Sequence, residues 1–221
     1  MATILITGAN RGIGLEYCRQ LQARGDTVLA ACRTPSAELE ALGVRIEPGV
    51  DITSDAAIAA LVQRLEGLAI NVLIHNAGIL ERTSLADLDL DSLRRQFEVN
   101  ALGPLRLSRA LLSQLHPGSK LILMTSRMGS IDDNTSGGSY GYRMSKVALC
   151  MAGKSLAIDL KPRGIAVALL HPGLVRTRMT GFADQGISPE ESVRGLLARI
   201  DALSLATSGS FWHANGQVLP W

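Results

Sequence analysis

Tyr142 and Lys146 stand four residues apart in the segment Tyr-Arg-Met-Ser-Lys, at the start of a stretch with helical spacing. Positions i and i+4 share one helix face. An ammonium group beside a phenol favours the phenolate, and so would lower a tyrosine pKa from its usual value of about 10. Such a tyrosine can act as general acid or base near neutral pH. Tyr140 is a rival, but its i+4 neighbour is the uncharged Met144. Ser126 follows an apolar run, where a hydroxyl could donate to a substrate carbonyl oxygen; a serine at such a place also commonly closes its own turn. Asn100 lies within a helical pattern that asparagine disfavours, which points to a specific task or to a kink held by a hydrogen bond.

A second constellation opens the chain. Ile4, Leu5 and Ile6 form an apolar run ending at Thr7 and Gly8; Gly12 and Gly14 follow, and Leu15–Arg24 has helical character. A strand, a glycine turn and a helix N-terminus make an anion site, because free backbone N–H groups and the helix dipole point outward together. Glycines let the backbone approach a pyrophosphate closely. The spacing G-x-x-x-G-x-G differs from the common G-x-G-x-x-G dinucleotide pattern. A tight turn without a ligand would need the same glycines.

These groups must be held by the elements around them. Strands are expected at Thr27–Cys32, Val44–Val50 (weakened by Pro48 and Gly49), Asn71–Ile74, Lys120–Thr125 and Ile165–Leu170, with a last one near Phe211 or Val218. Helices are expected at Ala37–Leu42, Asp55–Leu65 behind the N-cap Ser54, Asp91–Leu115 with a bend at Gly103-Pro104, Tyr140–Leu160, and Pro189–Leu203. Ser126–Ser139 is polar and glycine-rich, a loop. Continuous apolar strands alternating with helices predict a parallel sheet covered on both faces. The fold class is thus a single-domain α/β protein with a doubly wound parallel sheet of about seven strands. Ligands of such a sheet bind beyond the C-terminal strand ends. The polar clusters Gly8–Gly14, Arg33, Asp51, Asn76–Gly78, Ser126 and Pro172–Thr177 all fall at those ends.

Composition narrows the classes. The 221 residues are 47% hydrophobic with a formal net charge of +2, which suits one well-packed domain. No basic run with interleaved aromatics implies nucleic acid, and no stretch of about 20 apolar residues implies a membrane span. Cys18, Cys32 and Cys150 lack metal spacing and are expected to be reduced packing residues of a cytoplasmic protein. His116, His171 and His213 are scattered, so no metal site is expected.

Taken together, Thr7-Gly8-x-x-x-Gly12-x-Gly14, Asp51, Asn76-Ala77-Gly78, Asn100, Ser126, Tyr142-x-x-x-Lys146 and Pro172-Gly173-x-x-x-Thr177 resemble the short-chain dehydrogenase/reductase family over nearly the whole chain. The Tyr140-Gly-Tyr-Arg segment and the ending Gly216–Trp221 are similar to its small carbonyl-reductase and C-factor-like branch. The resemblance implies a Rossmann-type fold and hydride transfer between NADP(H) and a carbonyl or alcohol. Tyr142 would exchange the proton, Ser126 would polarise the carbonyl, Lys146 would hold the nicotinamide ribose, and Asn100 would hold a water linking Lys146 to solvent. The cofactor would lie on Gly8, Asn10, Arg11, Gly12, Ile13 and Gly14, with Asp51 and Ile52 at the adenine, Asn76, Ala77 and Gly78 near the ribose, and Pro172, Gly173, Val175 and Thr177 at the carboxamide. Residues 174–188 would form the substrate loop. His75 stands where the family often has asparagine and is expected to steady its turn. The polar loop Asp132–Ser139 is longer than in many members, which keeps Ser130 as second choice to Ser126.

Two further expectations come from the residues. No acid ends the second strand, where one would bond a ribose 2′-OH and repel a 2′-phosphate. Arg33 stands there instead, with Arg11 in the glycine turn. Arginine forks suit phosphate, so NADP(H) is expected over NAD(H). Apolar residues beyond one stripe in the helices around Asp91–Leu115 and Tyr140–Leu160 mean a second buried face, either core or interface. The resemblance implies a homodimer or homotetramer, since family members commonly pair through these two helices. A dinucleotide-binding sensor without turnover is the alternative, though it would not need Ser126 and Tyr142.

Overall fold

The computed structural model describes residues 1–221. Its strands are β1 (Thr3–Thr7), β2 (Thr27–Ala31), β3 (Arg45–Glu47), β4 (Ile70–His75), β5 (Leu115–Met124), β6 (Ala166–His171) and β7 (Ser210–His213). All pair in parallel, in the spatial order β3-β2-β1-β4-β5-β6-β7. The chain therefore winds outward from β1 in one direction, then returns past it to build the other half. The crevice where order reverses lies between β1 and β4.

Successive strand residues feed opposite layers. Ile4 and Ile6 join Tyr17 and Leu21 of α1 (Gly12–Ala23), Leu39 of the short α2 (Ala37–Glu40), and Leu196 and Ile200 of α7 (Pro189–Ala202). Leu5 instead joins Ile58 of α3 (Asp55–Arg64), Leu107 of α5 (Gly103–Ala110) and Leu149 of α6 (Tyr140–Leu160). Both faces are buried, which is why the strands are apolar throughout rather than alternating. Ser54 caps α3, accepting from the Ala57 N–H at 3.2 Å.

Several boundaries differ from the sequence expectation. Helix α1 starts at Gly12, so Ile13 and Gly14 belong to its first turn. Strand β3 is only three residues long; Pro48 has no N–H to give and Gly49 turns the chain at φ +71°. The long helix expected over Asp91–Leu115 is divided into α4 (Leu90–Phe97), a π-helical stretch Glu98–Leu102, and α5, which ends at Ala110. Pro104 cannot donate to the carbonyl four residues back, and the Gly103 N–H bonds instead to the Glu98 carbonyl five residues back. Leu111 and Leu115 are buried beyond the helix end. Their apolar character continues the helical pattern although the backbone does not. β5 thus begins at Leu115, with irregular register against β4 between Ile70 and Val72. The last strand holds Phe211, and Val218 returns antiparallel to Trp212. A single 3-10 turn, Arg127–Gly129, interrupts the expected Ser126–Ser139 loop.

His75 ties β4 to α5 rather than steadying a turn: its Nε2 and Ser108 Oγ share a 2.8 Å hydrogen bond, while Nδ1 is buried without a partner. Burial pushes its pKa down to about 3, against about 6.5 in an unfolded chain. The folded state binds fewer protons between these values. Stability from this site is full above pH 6.5 and is lost as pH falls toward 3, with a slope approaching about 1.4 kcal/mol per pH unit. Urea unfolding of wild type and His75→Gln at pH 7, 5.5 and 4.5 is expected to show a shallower acid loss in the variant. An identical acid slope in both would place the lability elsewhere, with His171, also pushed down to about 3 by burial, the next group to test.

Candidate active site

The ends of β1 and β4 are fastened to each other before any ligand arrives. Thr7 Oγ1 accepts from the N–H groups of both Asn76 and Ala77 at 3.1 Å. Asn76 Nδ2 donates to the carbonyls of Thr7 and Gly8 at 3.0 and 3.2 Å. Both amide hydrogens of Asn76 are thus committed within the protein. A Cβ at Gly14 would stand 2.1 Å from the Gly8 carbonyl oxygen, so α1 can start here only with glycine. The first turn of α1 carries no acid, and Arg11 is its extended N-cap residue. Free N–H groups and the positive helix end therefore face the crevice without a competing side chain.

The loops beyond β2 and β6 close on this turn. Asn10 Nδ2 donates to the Thr34 carbonyl at 2.9 Å, which binds the glycine turn to the loop carrying Arg33. Arg33 is close enough to Asp51 to help hold its carboxyl below the usual range, after the larger effect of the Thr53 N–H and hydroxyl. Arg11 and Arg33 are both exposed. Ile52 is buried against Gly103. From the other side, Thr177 lies over Gly12, its methyl 3.5 Å from where a Cβ would be. Between them, Gly173 turns at φ +87°, Val175 is buried and bridges to Ile187, and Ser192 Oγ donates to the Pro172 carbonyl at 2.7 Å. Phe211 is buried in the core.

Ser126, Tyr142, Lys146 and Asn100 converge beyond β4 and β5. Gly129 permits this, because a Cβ there would stand 2.8 Å from the Lys146 backbone; the 3-10 turn after Ser126 lies directly on α6. The Ser126 hydroxyl neighbours the Tyr142 phenol and draws its pKa down, but burial outweighs it and the phenol is pushed up to about 12. Both serines also accept within their own turns, Ser126 from the Met128 N–H at 3.2 Å and Ser130 from the Asp133 N–H at 3.1 Å, but only Ser126 neighbours the phenol. Tyr140 is half-exposed on the first turn of the helix. Lys146 is buried, donates to the Met124 carbonyl at 2.8 Å and lies 5.6 Å from the centre of the Tyr142 ring. Burial pulls its pKa down to about 8. The expectation that this ammonium lowers the tyrosine pKa is therefore corrected: desolvation dominates both groups and favours their neutral forms.

Asn100, in the π-helical stretch, is fully buried and doubly engaged. Its Nδ2 donates to the Ile79 carbonyl at 2.9 Å and Ser145 Oγ at 3.0 Å, and its Oδ1 accepts from the Ile79 N–H at 2.9 Å. Ser145 passes the contact on to the Tyr142 carbonyl at 2.8 Å. A Cβ at Gly78 would stand 3.1 Å from Asn100 Oδ1 and 3.6 Å from Lys146 Nζ, which puts all three at one place. Thr7 and Ser145 hold these segments together, and sequence reasoning passed over both. Each lay inside a quoted motif, but nothing in residue type showed which hydroxyl would bridge two elements. No cluster of His, Cys, Asp or Glu could hold a metal, and no helix is long and apolar enough to cross a membrane.

A doubly wound sheet with an anion-ready glycine turn, and a buried Ser-Tyr-Lys-Asn group at its strand ends, defines the class of nucleotide-dependent oxidoreductases. The model of the short chain dehydrogenase family matches residues 2–187, and the chain belongs to that family. It is 44% identical over 226 residues, covering all of both chains, to the 1-hydroxy-2-glutathionyl-2-methyl-3-butene dehydrogenase of Rhodococcus sp. (strain AD45). It is 46% identical over 155 residues to the C-signal of Myxococcus xanthus, covering 69% of this chain and 93% of that protein. Among solved structures it is similar to the NADPH-bound carbonyl reductase from chicken fatty liver, with a TM-score of 0.90 at 32% identity and coverage of 100% and 99%. The carbonyl reductase Sniffer of D. melanogaster gives 0.91 at 32% identity, with both chains fully covered.

Proposed function

We propose that this short-chain dehydrogenase/reductase interconverts a carbonyl and an alcohol with NADP(H), using Tyr142 as proton donor and acceptor. The observation that carries the reading is the convergence of Ser126 and Tyr142 beside buried Lys146, whose Nζ lies 5.6 Å from the centre of the Tyr142 ring, at the ends of β4 and β5. The glycine turn fits a dinucleotide: its helix end is acid-free and faces the crevice. Gly8, Asn10, Gly12, Ile13 and Gly14 would hold the diphosphate, with Asp51 and Ile52 at the adenine, Ala77 and Gly78 beside the ribose, and Pro172, Gly173, Val175 and Thr177 at the nicotinamide end. When bound, the nicotinamide supplies or accepts the hydride. Ser126 orients the substrate oxygen, and Tyr142, held neutral by burial, gives it a proton during reduction. Oxidation needs the phenolate, so its rate is expected to climb with pH while reduction stays level near neutrality. Residues 174–188, closed by pairing of Arg176 with Ile187, form the substrate loop.

Tyr142→Phe keeps the ring and removes the proton. Turnover on a panel of aldehydes and glutathionyl alcohols, followed by nicotinamide absorbance, is expected to fall at least ~100-fold, the scale of general acid catalysis, with NADPH binding kept. Near-native turnover would refute the assignment, and an inactive Tyr140→Phe would move the role to Tyr140. No turnover by wild type on any member of the panel, with NADPH still bound, would favour a sensor or signalling protein, a reading that the likeness to the C-signal supports.

Preference for NADP(H) rests on Arg11 and Arg33, two exposed arginines on adjoining loops with no acid at the end of β2. A charge-assisted contact contributes about 1.5–3 kcal/mol, so loss of both would cost roughly two to four decades of affinity. NADPH and NADH titrations are expected to show this loss for NADPH alone in Arg11→Ala/Arg33→Ala. A surviving preference in the double variant would show that other groups read the phosphate.

The excess apolar residues of α5 and α6 divide between core and surface. Leu107 and Leu149 are buried, as is Leu111 just past the end of α5, whereas Leu105, Met144, Met151 and Ile158 are 41%, 53%, 68% and 65% exposed. Met144, Met151 and Ile158 are spaced by sevens and share one face of α6. A second copy covering this face would give the homodimer. Light scattering at micromolar concentration should give twice the chain mass, or four times for a tetramer, and Met151→Glu should lower it; a monomeric mass for wild type would remove the proposal.

A further inference from the structure

The segment between Ser126 and Tyr142 is gripped by the arginine that follows each of them. Arg127 Nε lies 3.1 Å from Asp133 Oδ2. Arg143 reaches back from the first turn of α6. Its Nε donates to the carbonyls of Gly137 and Gly138, each at 3.2 Å, its Nη2 to Ser136 Oγ at 2.8 Å, and its Nη1 to the Met128 carbonyl at 3.5 Å.

The backbone held in this way is unusual. Gly137, Gly138 and Ser139 have φ of 62°, 61° and 47°. Left-handed residues normally occur singly, not as three in a row. Ser139 bears a Cβ, so its conformation is strained and must be imposed by its surroundings. It is also the N-cap residue of α6, yet its side chain caps nothing. Its N–H donates to the Thr83 carbonyl at 2.8 Å, and its carbonyl accepts from the Arg143 N–H at 3.0 Å. The helix that carries Tyr142 in its first turn therefore starts without a capping side chain. The Arg143 guanidinium fixes that start instead: its Nε–H is shared by two successive carbonyls of the left-handed turn, while Nη2 holds Ser136 and Nη1 reaches the Met128 carbonyl. A lysine there would be a point charge and could not hold all four of these acceptors at once.

We propose that Arg143 is a positioning residue for the reaction: by holding Gly137–Ser139 in a left-handed turn, it sets the start of α6 and so the Tyr142 hydroxyl relative to Ser126. This rests on Tyr142 being the proton donor. The two glycines are not there for want of space. A Cβ on Gly137 would meet nothing within 4 Å, and one on Gly138 only the Thr83 carbonyl at 4.0 Å. Alanine at both perturbs the backbone preference alone, whereas Ser139→Gly relieves it.

The test compares Arg143→Ala, Arg143→Lys, the Gly137→Ala/Gly138→Ala double variant, Ser139→Gly and Tyr142→Phe in steady-state reduction of a nitrobenzaldehyde by NADPH. NADPH affinity is measured separately by fluorescence. A misplacement of about an ångström costs up to roughly 100-fold in rate. Arg143→Ala and the double alanine variant are expected to lose kcat on that scale with NADPH affinity unchanged. Added methylguanidinium should restore part of the Arg143→Ala loss, Arg143→Lys should restore little, and Ser139→Gly should keep full activity. Because the double alanine variant leaves Arg143 intact, it carries the test alone if Arg143→Ala fails to fold. Native kcat in either Arg143→Ala or a folded double alanine variant, alongside an inactive Tyr142→Phe, would overturn the positioning role and leave the proton donor standing. An active Tyr142→Phe would overturn both.

Discussion

The contact at the end of β1 governs the rest of the structure. Gly8 and Gly14 approach so closely that one extra carbon at Gly14 would lie 2.1 Å from the Gly8 oxygen, with Asn76 Nδ2 as the next atom at 2.6 Å. Thr7 and Asn76 close the same junction with four hydrogen bonds between β1 and β4. The turn has no slack, so α1 leaves the sheet in one direction and its N-terminus faces the crevice. Thr177 can then lie over Gly12, and Asn10 can reach the loop after β2. A looser turn would leave these segments, which come from distant parts of the chain, without a common reference.

Burial sets the protonation state of the second cluster. Tyr142 is pushed up and Lys146 down because a dry site penalises charge on either group. At rest the phenol keeps its proton beside the Ser126 hydroxyl, while the amine is anchored to the Met124 carbonyl. Asn100 contributes from the only π-helical stretch in the chain, where the widened ladder turns its amide between Ile79 and Ser145. The cost of an irregular helix is offset by a fully bonded amide at a point where β4, α5 and α6 meet.

The chain's order of apolar runs, its N-cap serines and its glycine turn were sufficient for the parallel α/β sheet, because continuous apolar strands have few other ways to be buried. Ser54 and the span Tyr140–Leu160 were legible from local chemistry alone. The run Asp91–Leu115 was not: Leu111 and Leu115 preserve helical spacing while the chain leaves the helix at Ala110, since periodicity reports burial and not backbone path. β3 was overextended because Val50 is buried and bonded to the Cys32 carbonyl again after Pro48 and Gly49 have turned the chain out of the strand.

For the site, residue types and spacings by themselves determined which groups sit at the strand ends, because a parallel sheet places every such loop on one edge. Only the tertiary structure decided what each group faces. It set Ser126 rather than Ser130 beside Tyr142, committed the Asn76 amide to the turn, made Thr7 and Ser145 bridges, and reversed the direction expected for the Tyr142 pKa. The physical reason is range. Turn chemistry and helix faces act over a few residues and can be read along the chain. Desolvation and hydrogen-bond partnership depend on atoms brought in from remote segments, which have no spacing to read.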